Sequence, residues 1–123
     1  MRSIILAAAA ALIAPVALAQ NVYVTADRLL DITTGQMIQI PAIVIQNGVI
    51  TASGLRESVQ VPSAAQIIEL PGATLLSAGQ GALKPGAVGD LVAVIGDPTQ
   101  NVTLLESPIF VMKGGDIIKA PAD

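Results

Sequence analysis

Carboxylates, hydroxyls and a few amines are the only groups in this sequence able to activate water or attack a bond, because its 123 residues include no histidine and no cysteine. Water activation by zinc needs three or four His, Cys or carboxylate ligands that converge and leave one position open. Only carboxylates could serve here, and Asp90, Asp97 and Asp116 are the conceivable set for a hard cation. No calcium-loop spacing of alternating acidic residues surrounds them. Turn chemistry accounts for them instead: Asp97 and Asp116 sit among Gly and Pro, and Asp90 opens a strand at the solvent edge. Ser53, Ser58, Ser63, Ser77 and Ser107 have no histidine base, no Gly-x-Ser-x-Gly elbow and no Ser-x-x-Lys motif. Gly79-x-Gly81 ahead of Lys84 lacks the Gly-Lys-Ser/Thr ending of a phosphate loop, so linker flexibility explains it. Asn101-Val102-Thr103 matches the glycosylation sequon by chance. The expected catalytic, cofactor-binding and metal-ligating sets are therefore all empty.

The elements that would position any such groups begin after residue 19. Met1-Arg2, the apolar run Ile4 to Leu18, and Ala17-Leu18-Ala19 before Gln20 have the three parts of a secretory signal peptide, with cleavage expected after Ala19. The run is shorter than the roughly 20 residues of a membrane-spanning helix, and Pro15 interrupts it. Export to a bacterial periplasm is expected, with no membrane attachment after cleavage. Without cysteine, stability in that oxidising compartment comes from packing alone. Removing residues 1–19 from the 123 leaves 104, enough for one domain. Five basic residues (Arg28, Arg56, Lys84, Lys113, Lys119) stand there against nine acidic ones, a net charge of −4. That sign, with Tyr23 and Phe110 as the only rings, excludes nucleic acid as a partner.

After residue 20 the pattern is that of short strands and turns. Val22 to Ala26 is a first short strand, and Asp31 to Gly35 a reversal. Ala42 to Gln46 and Val49 to Ala52 flank Asn47-Gly48, the pairing preferred in a type I′ hairpin because both central residues need positive φ. Leu55 to Ala65 is a polar connection in which Pro62 opposes a central strand. Ile67 to Leu70 is a strand that Pro71-Gly72 turns into a further extended piece, Ala73 to Leu76. Residues 77–82 form a small, flexible linker. Beyond it Lys84-Pro85-Gly86 is a turn, Asp90 to Ile95 a buried strand ended by Gly96-Asp97-Pro98, and Ile109 to Lys119 a second hairpin around Gly114-Gly115. About seven short strands without helical period indicate an all-β sandwich or open barrel, preceded by a signal-peptide helix.

In order, Asp31 to Gly35, Ala42 to Ile50, Leu70-Pro71-Gly72-Ala73-Thr74-Leu75-Leu76, Leu83-Lys84-Pro85-Gly86, Gly89-Asp90-Leu91-Val92, Gly96-Asp97-Pro98 and Val111-Met112-Lys113-Gly114-Gly115 resemble the composite β-sandwich of the amidohydrolase superfamily, especially its exported imidazolonepropionase-like and prolidase-like members. The resemblance implies a sandwich assembled from both chain ends, residues 20–76 and 83–123, around a (β/α)₈ barrel of about 250 residues. It further implies zinc or a similar divalent metal held by barrel histidines for C–N hydrolysis. The barrel segment is missing here between Leu76 and Leu83, and its metal ligands with it. The expectation is thus a non-catalytic sandwich remnant. Alternatives are a subunit that supplies its sandwich to a separate barrel, and a small-ligand or protein-interaction module. The face that a barrel would cover is expected to support a homodimer.

Overall fold

A computed structural model of the chain describes residues 21–78 and 82–121. The expected signal peptide and the Gly79 to Gly81 part of the linker lie outside them.

The fold is all-β, as the turn spacing implies. Strands β1 (Asn21–Leu30), β2 (Met37–Gln39), β3 (Pro41–Gln46), β4 (Val49–Leu55), β5 (Gln66–Ser77), β6 (Leu91–Ile95), β7 (Phe110–Lys113) and β8 (Asp116–Lys119) form one open sheet. Its order is β4-β3-β1-β5-β6-β7-β8, with β2 paired to β1. The only helical pieces among the described residues are the 3₁₀ turns Arg56–Ser58 and Val102–Glu106. No helix among them is long and apolar enough to cross a membrane.

Both hairpins form where their turn residues place them. Asn47 and Gly48 have φ of 54° and 83°, and Gly114 and Gly115 have 58° and 86°, the positive pair that matches the strand twist of a type I′ turn. Lys84-Pro85-Gly86 also turns: the Ala87 N–H donates to the Lys84 carbonyl at 3.0 Å, with Pro at the position that needs φ near −65° and Gly86 at φ 95°.

Three expectations need correction. The first strand runs on past Ala26 to Leu30, because its far end gains β2 and the end of β5 as partners. Pro71-Gly72 does not end a strand. Ala26 pairs with Leu70 and Arg28 with Thr74, so two steps along β1 match four along β5. The surplus is a bulge at Pro71-Gly72, with Gly72 at φ 78°. Ser77, placed by its small size in the linker, is instead the last residue of β5 and pairs with Leu91.

Alternation along the strands sends two sets of side chains to opposite faces. Val22, Val24, Ala26, Ile43, Ile45, Ile50, Leu75, Leu91, Ala93, Phe110 and Met112 meet in the main core, which Leu83 also enters. Tyr23, Ala42 and Val44 on the other face pack with Ala52, Val59 and Ala65 of β4 and the connection after it. Since each buried Val, Leu, Ile or Phe contributes about 1.5–3 kcal/mol, the main core is the dominant stabilising feature.

The sheet curls until its two hairpin tips meet. The Gly89 N–H donates to the Gly48 carbonyl (2.8 Å) and the Gly115 N–H to the Gly89 carbonyl (3.0 Å). A Cβ on Gly115 would lie 2.6 Å from the Gly48 Cα, so only glycine permits this approach. The Gly86–Gly89 strap lies along the start of β4, through Ile50 N–H to Ala87 O and Gly86 N–H to Ile50 O, each 2.8 Å.

Candidate functional site

Each residue weighed for chemistry has a place in this scaffold. Asp90 lies just before β6, and its Oδ1 accepts the Gly114 N–H at 2.6 Å, tying the second hairpin tip to the strap. Asp116 begins β8 opposite Lys113 and is exposed. Asp97 follows β6, where its Oδ1 accepts from the Thr99 hydroxyl (2.6 Å) and N–H (2.9 Å). Those two bonds, the hydroxyl first, hold its carboxyl below the usual range, and the Arg28 charge acts in the same direction. Asp31 and Thr33 repeat the arrangement at 2.6 and 2.9 Å, with the same lowering. Asn101 and Thr103 repeat it again, which makes Asn101 the cap of a 3₁₀ turn. Asp-x-Thr and Asn-x-Thr are thus local turn devices here.

The serines are dispersed. Ser53 Oγ donates to the Leu83 carbonyl at 2.7 Å and so joins β4 to the chain after the linker. Ser77 lies in β5. Ser58 ends one 3₁₀ turn and Ser107 follows the other. The Ser63 carbonyl accepts from the Asn21 side chain at 3.3 Å. Lys84 is exposed in its turn.

A divalent metal, which the resemblance implies, does not fit these residues. Among the described residues no three His, Cys, Asp or Glu side chains gather closely enough to hold one. Of the three aspartates considered, Asp90 and Asp97 are committed to Gly114 and Thr99.

A partly buried polar knot escaped the sequence reading. Arg28 Nε donates to Thr74 Oγ1 (2.9 Å) and Nη2 to the Gly72 carbonyl (3.1 Å), while Thr74 donates to the Gly96 carbonyl (2.6 Å). The Gly96 N–H closes the knot on Gly72 O at 2.8 Å. Thr74 is fully buried, and no buried side-chain N or O among the described residues lacks a partner. The knot therefore holds the β5 bulge against the end of β6. The one sequence signal for it, an arginine inside an apolar strand, names no partner.

Several concavities are candidate binding surfaces, three of them around Arg56 and the linker. Arg56, whose Nη2 donates to the Ala26 carbonyl at 3.1 Å, stands between two of them. One, about 260 Å³, is lined by Gln39, Ile40, Leu55, Arg56 and Glu57. The other, about 220 Å³, reaches Asp27, Glu69 and Pro71. Asp27, Glu57 and Glu69 outnumber the guanidinium around these two grooves. A third groove, about 340 Å³, lies at the linker between Ser77, Leu83, Val88 and Asp90.

No model of a known protein family matches the chain. No curated protein matches it either.

Proposed function

We propose that this chain is an exported, non-catalytic β module of amidohydrolase-like descent, in which the two sandwich halves have been joined directly where a metal-binding barrel once stood between them. One observation carries the reading. β5, the last strand before the missing segment, and β6, the first after it, are antiparallel neighbours in register from Ala73↔Ile95 to Ser77↔Leu91. The Ala78 N–H adds a bond to the Asp90 carbonyl at 3.0 Å. A short connection then suffices where a barrel of about 250 residues would otherwise intervene. The lack of histidine removes the ligands for metal-activated water, and fold alone does not bring the activity with it.

The test is an assay of the purified protein, with and without added Zn²⁺, on N-acyl amino acids, dipeptides and cyclic amides. No turnover above the metal blank is expected. Chelator-sensitive turnover by the isolated chain overturns the proposal. Export is checked by N-terminal sequencing of the periplasmic form, which is expected to begin at Gln20.

A second reading, a sandwich supplied to a separate barrel chain, is favoured by the open groove at the linker, where exposed Val88 bridges exposed Val49. It predicts copurification with a histidine-rich chain and metal-dependent turnover of the pair. Self-association through the same apolar surface predicts a dimer in sedimentation that Val88→Lys dissociates.

A further inference from the structure

Strand edges in this sheet are protected in different ways, and one is not. The start of β4 is covered by the strap through Val49↔Val88 and the Ile50 bonds. β8 is four residues long, carries Lys119, and has a register shift opposite Val111 and Met112, features that discourage pairing. β5 has two edges of unequal cover. At Thr74 and Leu75 it has strands on both sides, whereas along Gln66–Leu70 it pairs with β1 alone. β6 ends opposite Ala73, and the chain turns away at Gly96. Among the described residues no backbone bond joins the second edge of Gln66–Leu70.

That edge borders a groove of about 310 Å³, lined by Gln66, Ile67, Ile68, Glu69 and Leu70 on one side and by Ala120 and Pro121 on the other. Ile67 is 54 % exposed, and Glu69 is the single charge in the groove. The tail that walls it does not complete the ladder, since Pro121 has no N–H to give.

We propose that the Gln66–Leu70 edge binds an extended peptide as an added strand, one that presents an apolar side chain to Ile67 and a lysine or arginine to Glu69. Main-chain bonds to an open edge supply the affinity and alternate side chains the selection. The basic requirement follows from Glu69 and from the chain's formal charge of −3. A second copy fits less well: antiparallel self-pairing centred on Ile68 sets each Glu69 opposite an Ile67, which leaves both carboxylates without a cation.

The probe is a capped, threonine-rich peptide in which one valine and one lysine stand two residues apart, so that both fall on the face of Ile67 and Glu69, titrated into the ¹⁵N-labelled protein. Saturable shifts confined to Gln66–Leu70 and Ala120 are expected, with slower hydrogen exchange along that edge. Methylating alternate peptide amides is expected to weaken binding at least ten-fold, because it removes ladder bonds without altering charge. Glu69→Lys, at an exposed position, is expected to weaken the lysine peptide ten-fold and to favour its glutamate counterpart. Shifts spread over the whole acidic surface and indifferent to N-methylation overturn the proposal, since general charge attraction then explains them. Concentration-dependent shifts of the same amides in the free protein also overturn it, because a second copy is then the occupant.

Discussion

Ile67-Ile68 and Leu75-Leu76 are equally apolar pairs in the same strand, yet Leu75 and Leu76 are buried while Ile67 is more than half exposed and Ile68 only partly covered. The difference lies in their neighbours. Around Leu75, β5 has β1 on one side and β6 on the other, and the main core receives its side chain. Around Ile67 there is β1 alone, and the side chain faces the groove. Hydrophobicity sets what burial is worth; the number of flanking strands sets whether it happens. The seam between the two halves of the chain is therefore where stability concentrates, and the half of β5 that pairs with β1 alone keeps an open edge.

The contrast can be tested most severely by truncation. Leu75→Ala is expected to cost about 2–5 kcal/mol in urea unfolding, while Ile67→Ala stays within about 0.5 kcal/mol. Equal losses would mean that both halves of β5 are packed alike. Closure at the hairpin tips comes next. Gly115→Ala meets the Gly48 backbone and must hold positive φ, so a loss of roughly 2 kcal/mol is expected from the same melts. A neutral Gly115→Ala would show that the sheet does not close there. Within the seam, Thr74→Val leaves Arg28 Nε and the Gly96 carbonyl without this partner, an expected cost of about 1–2 kcal/mol. An unchanged midpoint would assign the knot no part in holding the bulge.

The smallest effect concerns the turn beyond β6. The Asp97 carboxyl, partly exposed, is held below its ordinary value of 3.8 by the Thr99 hydroxyl and N–H. The folded state thus favours the carboxylate; the stabilisation is present above the ordinary value and is lost as pH falls through the lower, folded one. Thr99→Ala is expected to move the Asp97 titration, followed by carboxyl NMR, upward toward 3.8. No movement would mean that the hydroxyl bond is absent in solution.

Much of the turn architecture was legible in the residues, because it rests on local sterics. Asn47-Gly48, Gly114-Gly115 and Pro85-Gly86 take the conformations their side chains favour, whatever packs around them. Pro71-Gly72 has the same local signature and was misread as a strand end. Whether such a pair turns the chain or bulges a continuing strand depends on the partner, and β1 supplies one on both sides of it. The candidate aspartates were legible as turn residues at Asp97, whereas the bond from Gly114 to Asp90 joins positions 24 residues apart and leaves no local trace. The Arg28–Thr74 knot was invisible for the same reason, spanning 46 positions.

Composition settled that the chain would be β-rich, free of disulfides and without histidine ligands, since those properties follow from which side chains are present. Tertiary structure decided that eight strands share one sheet, that its hairpin tips close on Gly89, and that half of β5 keeps an open edge. Those outcomes depend on pairing between segments far apart in the chain, and the energy of a strand edge is defined only once its neighbour is in place.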